Sequence, residues 1–475
     1  MKKEYPFLVA GEWRESDRKL QVKNPFNGEA LACTYIPGEE DISLAIEGAA
    51  LSFKETRDLP SYFRSRICQK VASMILERKE EIARVLSLEA GKPISQARVE
   101  IERGIATFSA ASEEARRIAG EVIPLDWEKA SEKRFAMTKR FPIGPVLAIT
   151  PFNFPFNLVA HKVAPAVACG CPVVIKPASK TPLCSLIIAE LVLEAGYPSR
   201  AISVLPVSGK DADILVTHDS FRLVTFTGSP DVGWGIKERS GKKKVVLELG
   251  GNAGVIVHND AQTDYAISRC VQGGFFYAGQ SCISVQRIYI HEEIYERFVT
   301  GLVDQVSRLQ VGDPLDEKTH VGPMISEEEA IRIESWVREA VSGGARILTG
   351  GKRRGAIYYP TVLSDTKPDM KVCCREVFAP LVIVDRYRRI DDAIARVNDS
   401  IYGLQAGIFT RDIGSIIKAF EEIEVGGVVT NDVPTYRADH MPYGGVKNSG
   451  IGKEGPRFAI EDMTEMRILV LNMNI

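Results

Sequence analysis

Read as a pattern of apolar and polar positions, the chain changes period near its first third. Between residues 65 and 119 apolar residues recur every three or four positions, as in "CQKVASMILERKEEIARVLSLEAGK", which predicts helix. From Val146 that period gives way to short unbroken apolar runs: "VLAIT" (146–150), "PVVIK" (172–176), "ISVLPV" (202–207), "LVTFTG" (223–228) and "KVVLELGG" (244–251). Helix-like stretches at 156–169, 181–195 and 230–240 separate them. Continuous Val/Ile/Leu runs mark strands buried on both faces, and their alternation with helices predicts a parallel sheet of βαβ units. The second half repeats the scheme: "AGVIVH" (253–258), a helix over 263–277, "QRIYIH" (286–291), a helix near 294–309, then a Gly/Pro-rich loop over 311–326. The fold class is therefore α/β, with two units meeting near residue 250. Two segments fit neither unit. Residues 122–140 leave the helical period and read as a polar hairpin, and 465–475 ("EMRILVLNMNI") read as a terminal strand. A long apolar strand at a chain end invites aggregation unless it pairs, so an oligomer is expected.

Composition narrows the function. A chain of 475 residues with 45% hydrophobic and 26% charged residues is that of a soluble globular protein with large cores. The net charge is −2, and the sharpest basic run, "GKKK" at 241–244, leads into an apolar strand; nucleic acid is not an expected partner. Nine cysteines occur without C-x-x-C spacing and without a histidine cluster, so neither a metal site nor a disulfide framework is expected. A reducing compartment, the cytoplasm, is the simpler reading. The opening "MKKEYPFLVAGEW" has no apolar core of a secretory signal. The run "VAPAVACGCPVVI" (163–175) is too short to span a bilayer, so no membrane is expected.

One G-x-G-x-x-G occurs, at Gly450, Gly452 and Gly455 in "GIGKEG", but it follows no predicted strand and opens no βαβ unit. It reads as a turn-rich loop. "FTGSPDVG" (226–233) is better placed, between a strand-like run and a helix-like one. There Gly228 permits close backbone approach, and Ser229 with the free N–H groups behind it suits a phosphate. Lys176 ends a strand in "IKPASKTP", where open α/β sheets bind ligands, and suits ribose or phosphate. Three polar residues stand out. Asn153 follows a strand in "TPFNFPFN" and offers an amide to an oxyanion, or is a turn asparagine. Glu248 in "VVLELGG" is a carboxylate among leucines, a candidate general base or the outward face of a strand. Cys282 in "GGFFYAGQSCIS" is a candidate nucleophile or a small core residue.

Together these stretches closely resemble the aldehyde dehydrogenase superfamily. "TPFNFP", "IKPASKTP", "FTGSPDVG", "LELGG", "AGQSC", "REVFAP" (375–380) and "MPYGGVKNSGIGKEG" (441–455) match its motifs in family order. The branch most resembled acts on lactaldehyde or, without phosphorylation, on glyceraldehyde 3-phosphate. The resemblance implies a Rossmann-like cofactor domain (1–121 and 141–250), an α/β catalytic domain (251–455) and a small β oligomerisation element (122–140 and 456–475), giving a homodimer or homotetramer. It implies oxidation of an aldehyde to its acid with NAD or NADP. Cys282 would be the nucleophile, Asn153 and the Cys282 N–H the oxyanion hole, and Glu248 the base that activates water. For the cofactor it implies Ile149, Thr150, Pro151, Lys176, Ser179, Gly228, Ser229, Leu249, Glu376 and Phe378.

Departures from the family pattern shape the expectations. Phe152 stands where many relatives have tryptophan, Tyr277 where many have asparagine, and Ala379 where many have glycine. Ser179 replaces a glutamate that holds the ribose hydroxyls in NAD-preferring relatives; beside Lys180 it leaves room for a 2′-phosphate, so NADP is expected to be accepted. Arg103, Arg437 and His440 are candidates to line the entrance and bind an anionic aldehyde; otherwise the arginines are ion-pair partners. Two alternatives remain at this point: a CoA-acylating relative, against which Glu248 argues, and a dinucleotide-binding structural protein without catalysis.

Overall fold

A computed structural model describes residues 2–473. A short N-terminal hairpin forms β1 (Phe7–Val9) and β2 (Glu12–Arg14), and the unbroken apolar runs that follow form β3 (Val146–Ile149), β4 (Val173–Lys176), β5 (Ile202–Val204), β6 (Leu223–Thr227) and β7 (Lys244–Glu248). They lie in one sheet in the order β7-β6-β3-β4-β5-β1-β2. Strands β3 to β7 run parallel, and all of β3, β4 and β6 is buried, as two-sided cover by helices requires. The helix Asn157–Cys169 is buried along its whole length beneath this sheet.

The second half supplies β8 (Ala253–Val257), β9 (Val285–His291), β10 (Arg346–Thr349), β11 (Thr361–Ser364), β12 (Leu381–Tyr387), β13 (Gln405–Phe409) and β14 (Gly427–Thr430). Their sheet has the order β10-β11-β12-β9-β8-β13-β14. Only residues 249–252 separate β7 from β8, so the end of one sheet leads directly into the other.

Two details differ from the sequence reading. The helical period over 65–119 is three helices, Ser61–Glu77, Lys79–Ala90 and Ile94–Glu114: Arg78 leaves helical geometry (φ −102°, ψ 16°) between the first two, and between the last two Gly91 turns left-handed (φ 68°) and Pro93 cannot continue a helix. The "GIGKEG" stretch is not only a loop. Gly450–Ile451 pairs antiparallel with β7, with Gly450 opposite Glu248. A Cβ on Gly450 would stand 1.9 Å from the Leu247 carbonyl, so the approach depends on glycine. The hairpin over 122–140 is two strands, Val122–Pro124 and Arg134–Pro142. The terminal strand Thr464–Asn472 pairs antiparallel along all of Arg134–Pro142. Its Met466, Ile468 and Val470 are about half exposed, at 49–58%. Of the stretch predicted as strand, Asn474 and Ile475 lie outside the described residues.

Candidate active site

The register of the parallel strands aligns their carboxyl ends. Phe226 lies opposite both Ile149 and Leu247, Thr227 opposite Glu248, and Ile149 opposite Lys176. A cavity of about 790 Å³ opens beyond this row, the place where open α/β sheets bind ligands. Ile149, Thr150, Pro151, Lys176 and Ser179 line it from β3 and β4. Gly228, Ser229 and Leu249 line it from β6 and β7, and Glu376 and Phe378 reach it from the second half of the chain. Asn153, Glu248 and Cys282 line the same cavity.

Its chemistry fits a dinucleotide. Ser229 is the N-cap residue of the helix Pro230–Arg239, yet its side chain bonds none of the helix N–H groups, which are left for an anion. A Cβ on Gly228 would come within 2.5 Å of the Phe226 ring, so the strand-to-helix turn stays narrow. Lys176 is only 9% exposed and has no carboxylate partner among the described residues, and burial lowers its pKa. A buried ammonium without a partner calls for a ligand's oxygens. The Glu376 carboxylate accepts from the Gly251 N–H at 2.9 Å, while burial pushes its pKa up to about 7. Phe378, at φ 50°, sets its ring edge-on to Phe152 at 5.9 Å.

Cys282 sits after a sharply bent loop. Tyr277, Ala278 and Gly279 are consecutive left-handed residues, and a Cβ on Gly279 would lie 2.0 Å from the Ala379 carbonyl. Left-handed backbone is costly for Tyr277 and Ala278. Buried anchors offset it: the Tyr277 hydroxyl donates to the Ala90 carbonyl at 2.8 Å, and its N–H to Gln96 at 2.7 Å. Asn153 is 4% exposed, and its amide donates one hydrogen to the Gln280 carbonyl at 3.0 Å. Its second hydrogen has no protein acceptor among the described residues. Beneath it, the buried Lys92 ammonium donates to the Asn153 carbonyl at 2.8 Å and pairs with Glu100. It also faces the rings of Phe154 and Tyr277 at 3.8 and 4.2 Å. Glu100 in turn accepts from the N–H groups of Phe156 and Asn157, at 2.9 and 3.2 Å. One buried ion pair thus ties down both the amide's loop and the helix behind it.

Glu248 is 3% exposed and neither carboxylate oxygen has a hydrogen-bond partner among the described residues. Burial, then the nearby Glu454 charge, raises its pKa well above the carboxylate range. Glu454 does the reverse: against the cost of burial, Lys162 (3.1 Å) and Arg437 (3.0 Å) hold it down at about 2. Two neighbouring carboxyl groups are therefore driven apart, one to the neutral form and one to the charged form.

The expected substrate residues are not on the cavity wall. Arg103 forks onto Asp439, with Nη2 2.9 Å from the carboxylate. Arg437, its side chain 5% exposed, pairs with Glu454 and lies 3.8 Å over the Tyr443 ring. His440 is exposed and has no side-chain bond among the described residues. The sequence reading of an open arginine-lined entrance thus becomes, for both arginines, internal ion pairing. Asp439 and Glu454 are brought to them only by folding. Sequence reasoning passed over Lys92, Glu100, Lys162, Tyr443 and Glu454. Lys162 was the most findable, as the one charged residue in the apolar run "NLVAHKVAPAVAC".

All nine cysteines are free thiols. No group of three or more His, Cys, Asp or Glu residues among those described is placed to hold a metal ion. No described helix is long and apolar enough to cross a membrane.

Comparison with known proteins places the site in context. The profile of the "Aldehyde dehydrogenase family" matches residues 13–469. A 3-sulfolactaldehyde dehydrogenase of Priestia megaterium is 48% identical over 472 residues, covering 99% of this chain and 98% of its own. The crystal structure of aldehyde dehydrogenase 21 from Physcomitrella patens, with the reaction product succinate, superimposes with a TM-score of 0.98 at 45% identity, covering 100% of this chain and 99% of its own. The glyceraldehyde-3-phosphate dehydrogenase GapN of Methanocaldococcus jannaschii, complexed with NADP, superimposes with a TM-score of 0.92 at 40% identity, covering 97% and 99%.

Proposed function

The chain belongs to the aldehyde dehydrogenase family, and from that premise we propose the roles of its residues and the class of its substrate. It is an NAD(P)-dependent oxidoreductase that converts an aldehyde to a carboxylic acid through a covalent cysteine adduct. In our reading the Cys282 thiolate attacks the carbonyl carbon. The free hydrogen of the Asn153 amide and the Cys282 N–H stabilise the oxyanion that forms. The dinucleotide is held by Lys176, Ser179, the Gly228–Ser229 turn and Glu376, and when bound it supplies the acceptor for the substrate hydride. Glu248, buried and without a hydrogen-bond partner, takes a proton from the water that hydrolyses the resulting thioester at Cys282. A carboxylate in that place favours hydrolysis over transfer to CoA. Residues 1–121 with 141–250 would hold the dinucleotide, and 251–455 would carry the nucleophile. The three-stranded sheet of Val122–Pro124, Arg134–Pro142 and Thr464–Asn472 would join subunits into a homodimer or homotetramer. Nine free thiols suit the cytoplasm.

The substrate we propose is a short aldehyde with an acidic group at its far end. One observation carries this: relatives 40–48% identical over nearly the whole chain are named for, or hold, a sulfonated, a phosphorylated and a dicarboxylic compound. The test is kcat/KM for 3-sulfolactaldehyde, glyceraldehyde 3-phosphate, succinate semialdehyde, lactaldehyde and propanal with each cofactor. An acidic aldehyde should exceed propanal by about a hundredfold, the worth of a charge-assisted hydrogen bond pair. Equal rates with propanal would refute the substrate class.

A further inference from the structure

The sulfur of Cys282 makes one hydrogen bond among the described residues, to the hydroxyl of Tyr443 at 3.0 Å. Tyr443 is 3% exposed and packs with Ile283, Leu404 and Met441 around Cys282. Its backbone is locked as well. It exchanges both N–H···O bonds with Glu454, at 3.1 and 2.6 Å, as an isolated antiparallel bridge. Glu454 in turn binds Arg437, whose guanidinium carbon lies 3.8 Å over the Tyr443 ring centroid. The phenol is thus held by packing, by a backbone pair and by a cation on its face. A cation over a phenol ring withdraws charge from it and makes its O–H a better donor.

We propose that Tyr443 is a catalytic residue of this chain: its phenol donates a hydrogen bond to the Cys282 sulfur, holding the rotamer from which the nucleophile attacks and favouring the thiolate. Arg437 is a positioning residue that acts through the ring. The phenol keeps its own proton throughout. The thiol proton leaves by another route, to water through the cavity that Cys282 lines, and the inference rests on the reading above of Cys282 as the nucleophile. The charged and titratable groups facing the sulfur are Tyr443, Glu376, Arg437 and Glu248. Burial, with the Glu376 and Glu248 carboxylates adding to it, pushes the thiol up to about 12, and the Tyr443 bond is the largest influence opposing it. Both carboxylates oppose the thiolate, so the phenol and Arg437 carry its stabilisation.

The test uses Tyr443→Phe, which keeps the ring and its packing and removes only the hydroxyl. Alkylation of Cys282 by iodoacetamide is followed against pH in the full-length protein saturated with NADP+. This readout involves no aldehyde, so its failure is distinct from failure of the substrate assignment. The titration midpoint should rise by about one pH unit, with alkylation about tenfold slower below it. Arg437→Lys keeps a charge for Glu454 but loses the guanidinium over the ring, and should raise the midpoint by less. A midpoint unchanged in Tyr443→Phe would overturn the proposal. So would a rise in Arg437→Lys that persists undiminished when Tyr443→Phe is added, since the arginine would then act without the phenol hydroxyl.

Discussion

Replacing Lys92 by methionine tests how the oxyanion donor is held. Lys92 and Glu100 are 0% and 1% exposed, and their pair is reinforced by the Asn153 carbonyl and two aromatic rings. Methionine fills a similar volume but leaves the Glu100 carboxylate buried beside two backbone N–H groups and no cation. Breaking a buried pair from one side costs about 3–5 kcal/mol. With a urea dependence of about 2–3 kcal/mol per molar, the unfolding midpoint should fall by about 1–2 M. The assay is urea unfolding followed by the fluorescence of Trp234, which packs against the same sheet. The double variant Lys92→Met/Glu100→Gln separates charge from packing. Glutamine keeps an acceptor for the Phe156 and Asn157 N–H groups without a buried charge. What remains is an unsatisfied Asn153 carbonyl, about 1–3 kcal/mol, so the double variant should be more stable than the single one. In both, kcat should fall, because the loop presenting the Asn153 amide has lost its anchor. A single variant within about 0.2 M of the parent, an interval far below that cost, would refute this account. A double variant no better than the single would refute it too.

Other consequences follow from the same geometry. Glu248→Gln should leave a burst of one reduced cofactor per site and slow the steady state about 10²–10⁴-fold, measured by stopped-flow absorbance. In the parent, thioester hydrolysis should gain its base as Glu248 loses a proton. Its pKa is raised, so the acid limb of the steady-state pH profile should lie above the ordinary carboxylate value and be absent from the burst. Asn153→Ala should lower kcat by about 10²–10³-fold with little change in cofactor affinity, measured by fluorescence titration. Ser179→Glu should cut kcat/KM for NADP+ by about tenfold or more through repulsion of the 2′-phosphate, and spare NAD+.

How much of this was readable before folding depends on the range of the interaction. The β3, β4, β6 and β7 runs announced themselves because strands covered on both faces carry apolar residues at every position. Gly228, Ser229 and Lys176 were placed by their offsets from those strands, which are local facts. Asn153, Glu248 and Cys282 stood out by being polar or reactive where packing alone did not require it, and the family motifs ordered them. Boundaries slipped where a local breaker intervened, as at Gly91 and Pro93, which cut one periodic stretch into separate helices.

Pairings between residues hundreds of positions apart left no trace in any window of the chain. Arg103 meets Asp439, Lys162 meets Glu454, and Cys282 meets Tyr443 only because the two sheets are joined by residues 249–252 and the 437–455 stretch folds back across both. The same "GIGKEG" that reads locally as a loop becomes a sheet edge once β7 offers it a partner. Hydrophobic periodicity reports burial, which each residue expresses alone. Ion pairs and pKa shifts depend on distances between side chains, and the chain acquires those distances only when it is folded.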